Sequence, residues 1–312
     1  MNVEIIKPFG YSKTLQNLLD ICHEVRTLYP FNKVCLLGGL LNADSAKEKI
    51  KQLNIEIIDI PYQGFYDFVS NMDVNTILIT SPYGTGDKVF KLLKKRKIVF
   101  YDSISPLITE KIKFINKCFP WKKVIFVGNV NTIEENYLVE KTYHKFYFYD
   151  LSNQVNMNSL VFNKKFNKES TQIIYQSEIA DDSLTYALLT IKNYLPKANV
   201  NSEISDDNYD RKKNLNDVLK DGDVVLIVSN TKKSPKYILD YYHLSTKDIL
   251  FSTIRSVEDA MNIQIEDDKN IYIISDGSID SNVINNIYFF FKYKFVQGET
   301  HEQNSKVQTN YQ

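Results

Sequence analysis

Two kinds of apolar pattern trade places along this chain: short β-branched and aromatic runs, and longer stretches in which apolar residues recur at helical spacing. Val3 to Ile6 is a run of the first kind. The turn Pro8-Phe9-Gly10-Tyr11-Ser12 leads from it into a helix whose Leu15, Leu18, Leu19, Cys22, Val25 and Leu28 fall on one face. The cycle repeats with Val34 to Leu37 extended, a turn at Gly38-Gly39, a helix near Ala43 to Leu53, and Glu56 to Ile60 extended again. Thr76 to Thr80 then runs into Ser81-Pro82-Tyr83-Gly84-Thr85-Gly86 and a basic helix through Lys95. A strand ending at Tyr101 gives way to Asp102-Ser103-Ile104-Ser105-Pro106. Here Ser105 is placed to cap the next helix, and Pro106 takes its first position, where a missing N–H costs nothing.

The second half keeps the alternation. Lys122 to Val127 ends in Gly128-Asn129-Val130-Asn131 before a helix from about Thr132, and Phe146 to Tyr149 and Gln172 to Gln176 read as further strands. Asp181 to Leu195 reads as a helix, and the polar, acidic segment Pro196 to Asp210 as a crossing into another lobe. Val224 to Val228, Ile249 to Thr253 and Ile271 to Ser275 are the last strands. The loop Ser229 to Pro235 opens a helix through Tyr242, and Ser275 to Ser278 leads into the helix Ser281 to Phe291. Such alternation predicts an α/β protein with mostly parallel sheets covered on both faces. The loops that leave the carboxyl ends of the strands are where a ligand would bind.

Composition narrows the function classes. A chain of 312 residues can bury more than one core. Its 38 Lys and Arg balance 38 Asp and Glu, so no global field draws it to nucleic acid or to a membrane surface. With no charged-then-apolar leader and no membrane-length apolar run, a cytoplasmic location is expected. The 3 cysteines, Cys22, Cys35 and Cys118, lie far apart, which predicts neither a disulfide framework nor a paired metal site.

Taken together, the strand-end loops resemble those of the LytB/IspH family, the hydroxymethylbutenyl diphosphate reductases of non-mevalonate isoprenoid biosynthesis, and the likeness runs from Val3 to about Lys292. The family's Pro-Arg-Gly-Phe-Cys is similar to Pro8-Phe9-Gly10-Tyr11-Ser12, and its Asp-Ala-Thr-Cys-Pro-Leu-Val-Thr to Asp102-Ser103-Ile104-Ser105-Pro106-Leu107-Ile108-Thr109. Its third cysteine aligns with Asn208 in Asp206-Asp207-Asn208-Tyr209. In the family those three thiolates hold an iron–sulfur cluster. Ser12, Ser105 and Asn208 stand in their places, so the cluster is expected to be absent and no other cofactor is implied.

Substrate-binding positions depart in the same way. His-Glu-x-x-His-Asn resembles Leu37-Gly38-Gly39-Leu40-Leu41-Asn42, and Ser-Ala-His-Gly resembles Ser81-Pro82-Tyr83-Gly84. Gly-His-x-x-His-Pro-Glu resembles Gly128-Asn129-Val130-Asn131-Thr132-Ile133-Glu134, where Glu134 matches the proton-relay carboxylate. A solvated glutamate in the first turn of a helix is the plainer reading of Glu134. The diphosphate-binding Ser-Ser-Asn corresponds to Lys232-Lys233-Ser234-Pro235, and the last loop to Ser275-Asp276-Gly277-Ser278-Ile279, where Asp276 would repel a phosphate.

The resemblance implies a three-lobed arrangement of small, mostly parallel sheets flanked by helices around a central cavity. Its lobes are residues 14–100, residues 101–195, and residues 196–292 with 1–13, followed by a polar, disordered tail over residues 293–312. One function is a cluster-independent enzyme acting on a small anionic metabolite in that cavity. Glu134, Ser105 and Tyr83 would supply its acid–base groups, and Ser12, Asn42, Ser81, Thr132, Ser177, Asn208, Lys232, Lys233, Ser234 and Ser278 would line the site. The alternative is a non-catalytic binding or regulatory relative, or a subunit that pairs with a protein partner. A third reading, the family's own reductase with unusual ligands, lacks the soft donors that cluster assembly requires.

Overall fold

The computed structural model describes residues 2–40, 44–151, 171–177, 182–229, 249–265 and 269–308. Two compact units divide the chain: Met1–Tyr11 with Asp210–Gln312, and Ser12–Tyr209. Strand β1 (Val3–Ile5) belongs to the first of them. The second opens with α1 (Lys13–Leu28) and then alternates β2 (Val34–Leu37), α2 (Asp44–Gln52), β3 (Ile55–Ile58), α3 (Phe65–Asn71), β4 (Ile77–Ile79), α4 (Asp87–Arg96) and β5 (Phe100–Tyr101). These four strands form a parallel sheet in the order β3-β2-β4-β5. Val34, Cys35, Leu36 and Leu37 are all buried, as expected of a central parallel strand covered on both faces.

The same unit continues through α5 (Pro106–Cys118), β6 (Lys123–Gly128), α6 (Ile133–Thr142), β7 (Tyr147–Asp150), β8 (Thr171–Tyr175), α7 (Asp182–Tyr194) and β9 (Asn199–Val200). Its second sheet is parallel throughout, in the order β7-β6-β8-β9. Successive residues of β6 serve opposite cores. Ile125 and Val127 pack with Ile173, Tyr175 and the α7 residues Ala187 and Ile191. Val124 and Phe126 pack with Ile108 and Ile115 of α5 and Leu138 of α6. A polar seam joins the two halves of this unit: the Tyr62 hydroxyl donates to Glu140 Oε2 at 2.8 Å, and the Asp87 amide donates to Glu140 Oε1 at 2.8 Å.

In the other unit, α8 (Tyr209–Val218), β10 (Val224–Val228), β11 (Leu250–Ile254), α9 (Val257–Met261), β12 (Ile271–Ser275) and α10 (Ser281–Gln308) complete the chain. Its parallel sheet has the order β1-β12-β10-β11. Ile284, Ile287 and Phe291 of α10 cover Val224, Leu226, Ile271 and Ile273. The backbone of α10 continues to Gln308, well into the segment 293–312 read as a disordered tail. The protein is thus an α/β chain with three small parallel sheets flanked by helices.

Several elements depart from the sequence reading, among them the five-residue helix α9. Helix α3 follows a short 3₁₀ turn at Tyr62–Gly64 and was not expected, because its seven residues are too few to show a period. Strand β9, two residues long, lies within the segment read as a crossing. Helix α8 begins at the end of that segment and buries only Arg211 and Leu215, so it carries no apolar stripe. Gly84 has a φ of +122°, and a Cβ there would lie 2.2 Å from Tyr137 Cγ, so the turn after β4 admits no side chain. Among the described residues no helix is long and apolar enough to cross a membrane.

Candidate functional site

Two helix starts and an acidic loop meet in one hydrogen-bonded cluster. Ser12 caps α1, its Oγ accepting from the Leu15 amide at 3.2 Å. Ser105 caps α5 in the same manner, accepting from the Leu107 amide at 3.2 Å, and Pro106 follows as the sequence predicts. Thr14 joins the two: its Oγ1 lies 2.8 Å from Ser105 Oγ, and its amide donates to Asp207 Oδ2 at 2.9 Å. Ser12, Thr14 and Ser105 are at most 3% exposed. The neighbouring Asn208 amide donates to Asp206 Oδ1 at 2.9 Å. At two of the three positions matched to cluster cysteines, the chain therefore places serine hydroxyls that already accept from backbone amides, and that of Ser105 also bonds Thr14.

Ser105→Ala removes a cap together with the Thr14 contact. It is expected to lower stability by about 1–2 kcal/mol, seen as a lower urea midpoint.

The loop after β4 is equally closed on itself. Ser81 and Tyr83 are buried, the Ser81 amide donates to Thr85 Oγ1 at 3.2 Å, and the Tyr83 amide donates to Ser81 Oγ at 3.3 Å. Ser103 holds the adjoining strand end by donating to the Thr80 carbonyl at 2.5 Å.

Glu134 departs from its plainer reading as a solvated first-turn glutamate, being only 2% exposed. Thr132 caps α6 through the Glu135 amide at 3.3 Å, which brings Glu134 inward. Lys111 of α5, itself 0% exposed, donates from Nζ to Glu134 Oε1 at 2.6 Å and to Ser177 Oγ at 2.8 Å. The Ser177 amide completes the set by donating to Glu134 Oε2 at 2.9 Å. Both carboxylate oxygens are thus engaged, and the lysine charge that meets them lies wholly inside the protein.

Lys111 was not among the expected site residues. Its signal was nonetheless present: Ile108, Lys111, Ile115 and Cys118 are spaced by three and four residues, so the lysine stands on the buried stripe of α5. A buried lysine requires a buried anion.

In the other unit, the loop after β12 turns on Asp276. Ser229 Oγ donates to Asp276 Oδ2 at 2.5 Å, and Ser278 reaches Asp276 Oδ1 through its amide at 3.0 Å and its hydroxyl at 2.5 Å. Ser278 thus serves a carboxylate of its own chain. Asn42, Lys232, Lys233 and Ser234 lie outside the described residues.

The chain's own thiols sit apart from these loops. Cys22 is inside α1, Cys35 inside β2 and Cys118 at the end of α5, all buried. Burial pushes the Cys22 thiol up to about 12 and the Cys35 thiol, with help from the Glu56 carboxylate, up to about 11. Both therefore remain protonated near neutrality. A disulfide reagent at neutral pH is expected to leave Cys22 and Cys35 unmodified in the folded chain and to label them once urea unfolds it.

Comparison with known proteins gives this geometry a context. The profile of a family described as "LytB protein" matches residues 3–292. The 4-hydroxy-3-methylbut-2-enyl diphosphate reductase of Thermosynechococcus vestitus is 21% identical over 131 residues, 42% of this chain and 31% of that protein. The enzyme of the same name from a Synechococcus strain is 20% identical over 117 residues, 38% of this chain and 29% of its own length. The matched stretch spans less than a third of either relative.

Among solved structures, the E-1-hydroxy-2-methyl-but-2-enyl-4-diphosphate reductase of Plasmodium falciparum superposes with a TM-score of 0.62 at 16% identity, over 91% of this chain and 86% of that one. A second structure, of an (E)-4-hydroxy-3-methyl-but-2-enyl diphosphate reductase, gives 0.59 at 14% identity, over 94% of this chain and 99% of that one.

Proposed function

Because the chain belongs to the LytB family, we propose that it is a member which has kept the scaffold and given up the iron–sulfur reaction, acting as a non-catalytic binding or regulatory protein. One observation carries this reading: Glu134, matched to the family's proton-relay carboxylate, has both oxygens committed to Lys111 and the Ser177 amide inside the protein. A carboxylate with both oxygens already engaged by a buried lysine and a backbone amide presents no free oxygen to a bound substrate.

The cluster that the family implies does not fit the residues present. Iron–sulfur clusters need soft, deprotonated sulfur ligands. Ser12 and Ser105 offer hydroxyl oxygens occupied with helix caps. Of the cysteines the chain does possess, Cys35 and Cys118 lie in separate cores, and Cys22 and Cys35 are held as thiols by burial.

The competing reading is a cluster-independent enzyme for a small anionic metabolite. Asp276 weighs against an anion at the loop after β12, because its carboxylate already takes the Ser229 and Ser278 hydroxyls. The test is an anaerobic assay with a strong one-electron donor and the 4-hydroxy-3-methylbut-2-enyl diphosphate after which the relatives are named. No isoprenoid diphosphate product is expected. Product formed in proportion to protein would overturn the proposal.

A further inference from the structure

The second sheet of the Ser12–Tyr209 unit has another edge, away from the strand-end loops, where β6 and β7 begin and α5 and α6 end. The loop from α5 to β6 reads Asn116-Lys117-Cys118-Phe119-Pro120-Trp121-Lys122-Lys123, and the loop from α6 to β7 reads Thr142-Tyr143-His144-Lys145-Phe146-Tyr147. Neither contains an acidic residue. Three aromatic side chains stand out from them: Trp121 is 84% exposed, Tyr143 81% and Phe119 50%.

The two loops are neighbours, since Lys145 Nζ lies 5.4 Å from the centre of the Phe119 ring and donates to Asn116 Oδ1 at 2.9 Å. Among the described residues, none of Lys117, Lys122, Lys123 and Lys145 is paired with a carboxylate. The backbone also presents Tyr143 deliberately. Tyr143 and His144 both take left-handed conformations, with φ of 53° and 57°, at a helix end where glycine would be the unstrained choice.

A neutral total charge therefore coexists with a locally positive, aromatic edge. Aromatic side chains at loop tips, ringed by lysines, suit an interface that is apolar just below an anionic surface. We propose that this edge docks the protein peripherally on anionic lipid, with Trp121, Tyr143 and Phe119 entering the headgroup region and Lys117, Lys122 and Lys123 meeting the lipid phosphates and carboxylates. Aromatic side chains exposed at loop tips suit a deformable surface, whereas a polynucleotide would be held in a groove that stacks its bases.

The chain carries its own probe, for Trp121 is its sole tryptophan. Titrating the full chain with vesicles of mixed phosphatidylserine and phosphatidylcholine should shift Trp121 emission to the blue, and raised salt should reverse the shift. Lys117→Gln/Lys122→Gln should weaken vesicle partitioning about 30-fold while leaving the circular dichroism spectrum unchanged. No shift, an equal shift with pure phosphatidylcholine, or a shift produced by polyuridylate or polyglutamate but not by the anionic vesicles would overturn the proposal.

Discussion

Lys111→Met should destabilise the protein by about 3–5 kcal/mol, among the largest losses any single substitution can cause here. Lys111 is fully buried, and its ammonium is the charge that Glu134 was brought inside to meet. Deleting it leaves a carboxylate 2% exposed with only the Ser177 amide as donor. Glu134→Leu should be as costly for the opposite reason, since it strands the ammonium. The double variant Lys111→Met/Glu134→Gln separates the pair from mere packing. It removes both charges and keeps an acceptor for the Ser177 amide, and it should recover more than half of the single-variant loss. Urea midpoints of the four proteins decide the matter. Single-variant losses under about 1 kcal/mol would mean that the pair is solvated, and the structural role given to Glu134 would fail with it.

The second large effect belongs to Arg211. It is 2% exposed, and its guanidinium donates to the Pro8 carbonyl at 2.6 Å, the Gly10 carbonyl at 3.0 Å and the Tyr11 carbonyl at 2.8 Å. One side chain therefore satisfies three carbonyls of the loop that leaves β1, with Ser275 Oγ adding a second bond to Gly10 at 2.9 Å. Arg211→Met should cost about 3 kcal/mol or more, because the Pro8 and Tyr11 carbonyls lose their charged donor and Gly10 keeps only the Ser275 hydroxyl. Arg211→Lys should restore less than half, since an ammonium lacks the planar fork that reaches several acceptors at once. Hydrogen exchange over residues 7–12 should rise in both variants. An Arg211→Met protein with unchanged midpoint and exchange would show that this loop is held by other means.

These two residues also mark where sequence reasoning stopped. Strands such as Val34–Leu37 and Val224–Val228 were legible because a strand covered on both faces must be apolar throughout, and little else in a sequence looks like that. The cap at Ser105 was legible because a cap is a local event between residues two or three apart. Arg211 was not, since its partners lie some two hundred positions earlier in the chain. Lys111 broke the apolar stripe of α5, a signal that becomes readable only when a lysine on a buried face is taken as a demand for a buried anion. Thr14 and Asp207 likewise gain their meaning from Ser105, with which nothing local connects them. The family resemblance placed Ser12, Ser105 and Asn208 at matched positions, and the structure adds that the two serines are employed there as caps.

Ser12 and Ser105 engage in hydrogen bonds at two of those positions, and the proposed function requires that the three together bind no metal cluster. Anaerobic reconstitution of the full chain with ferrous iron and sulfide, followed by desalting and assay of bound iron, tests it most directly. The account predicts a colourless protein without retained iron or sulfide. A brown protein carrying stoichiometric iron and sulfide, with sulfur-to-iron charge-transfer absorption in the visible, would contradict it.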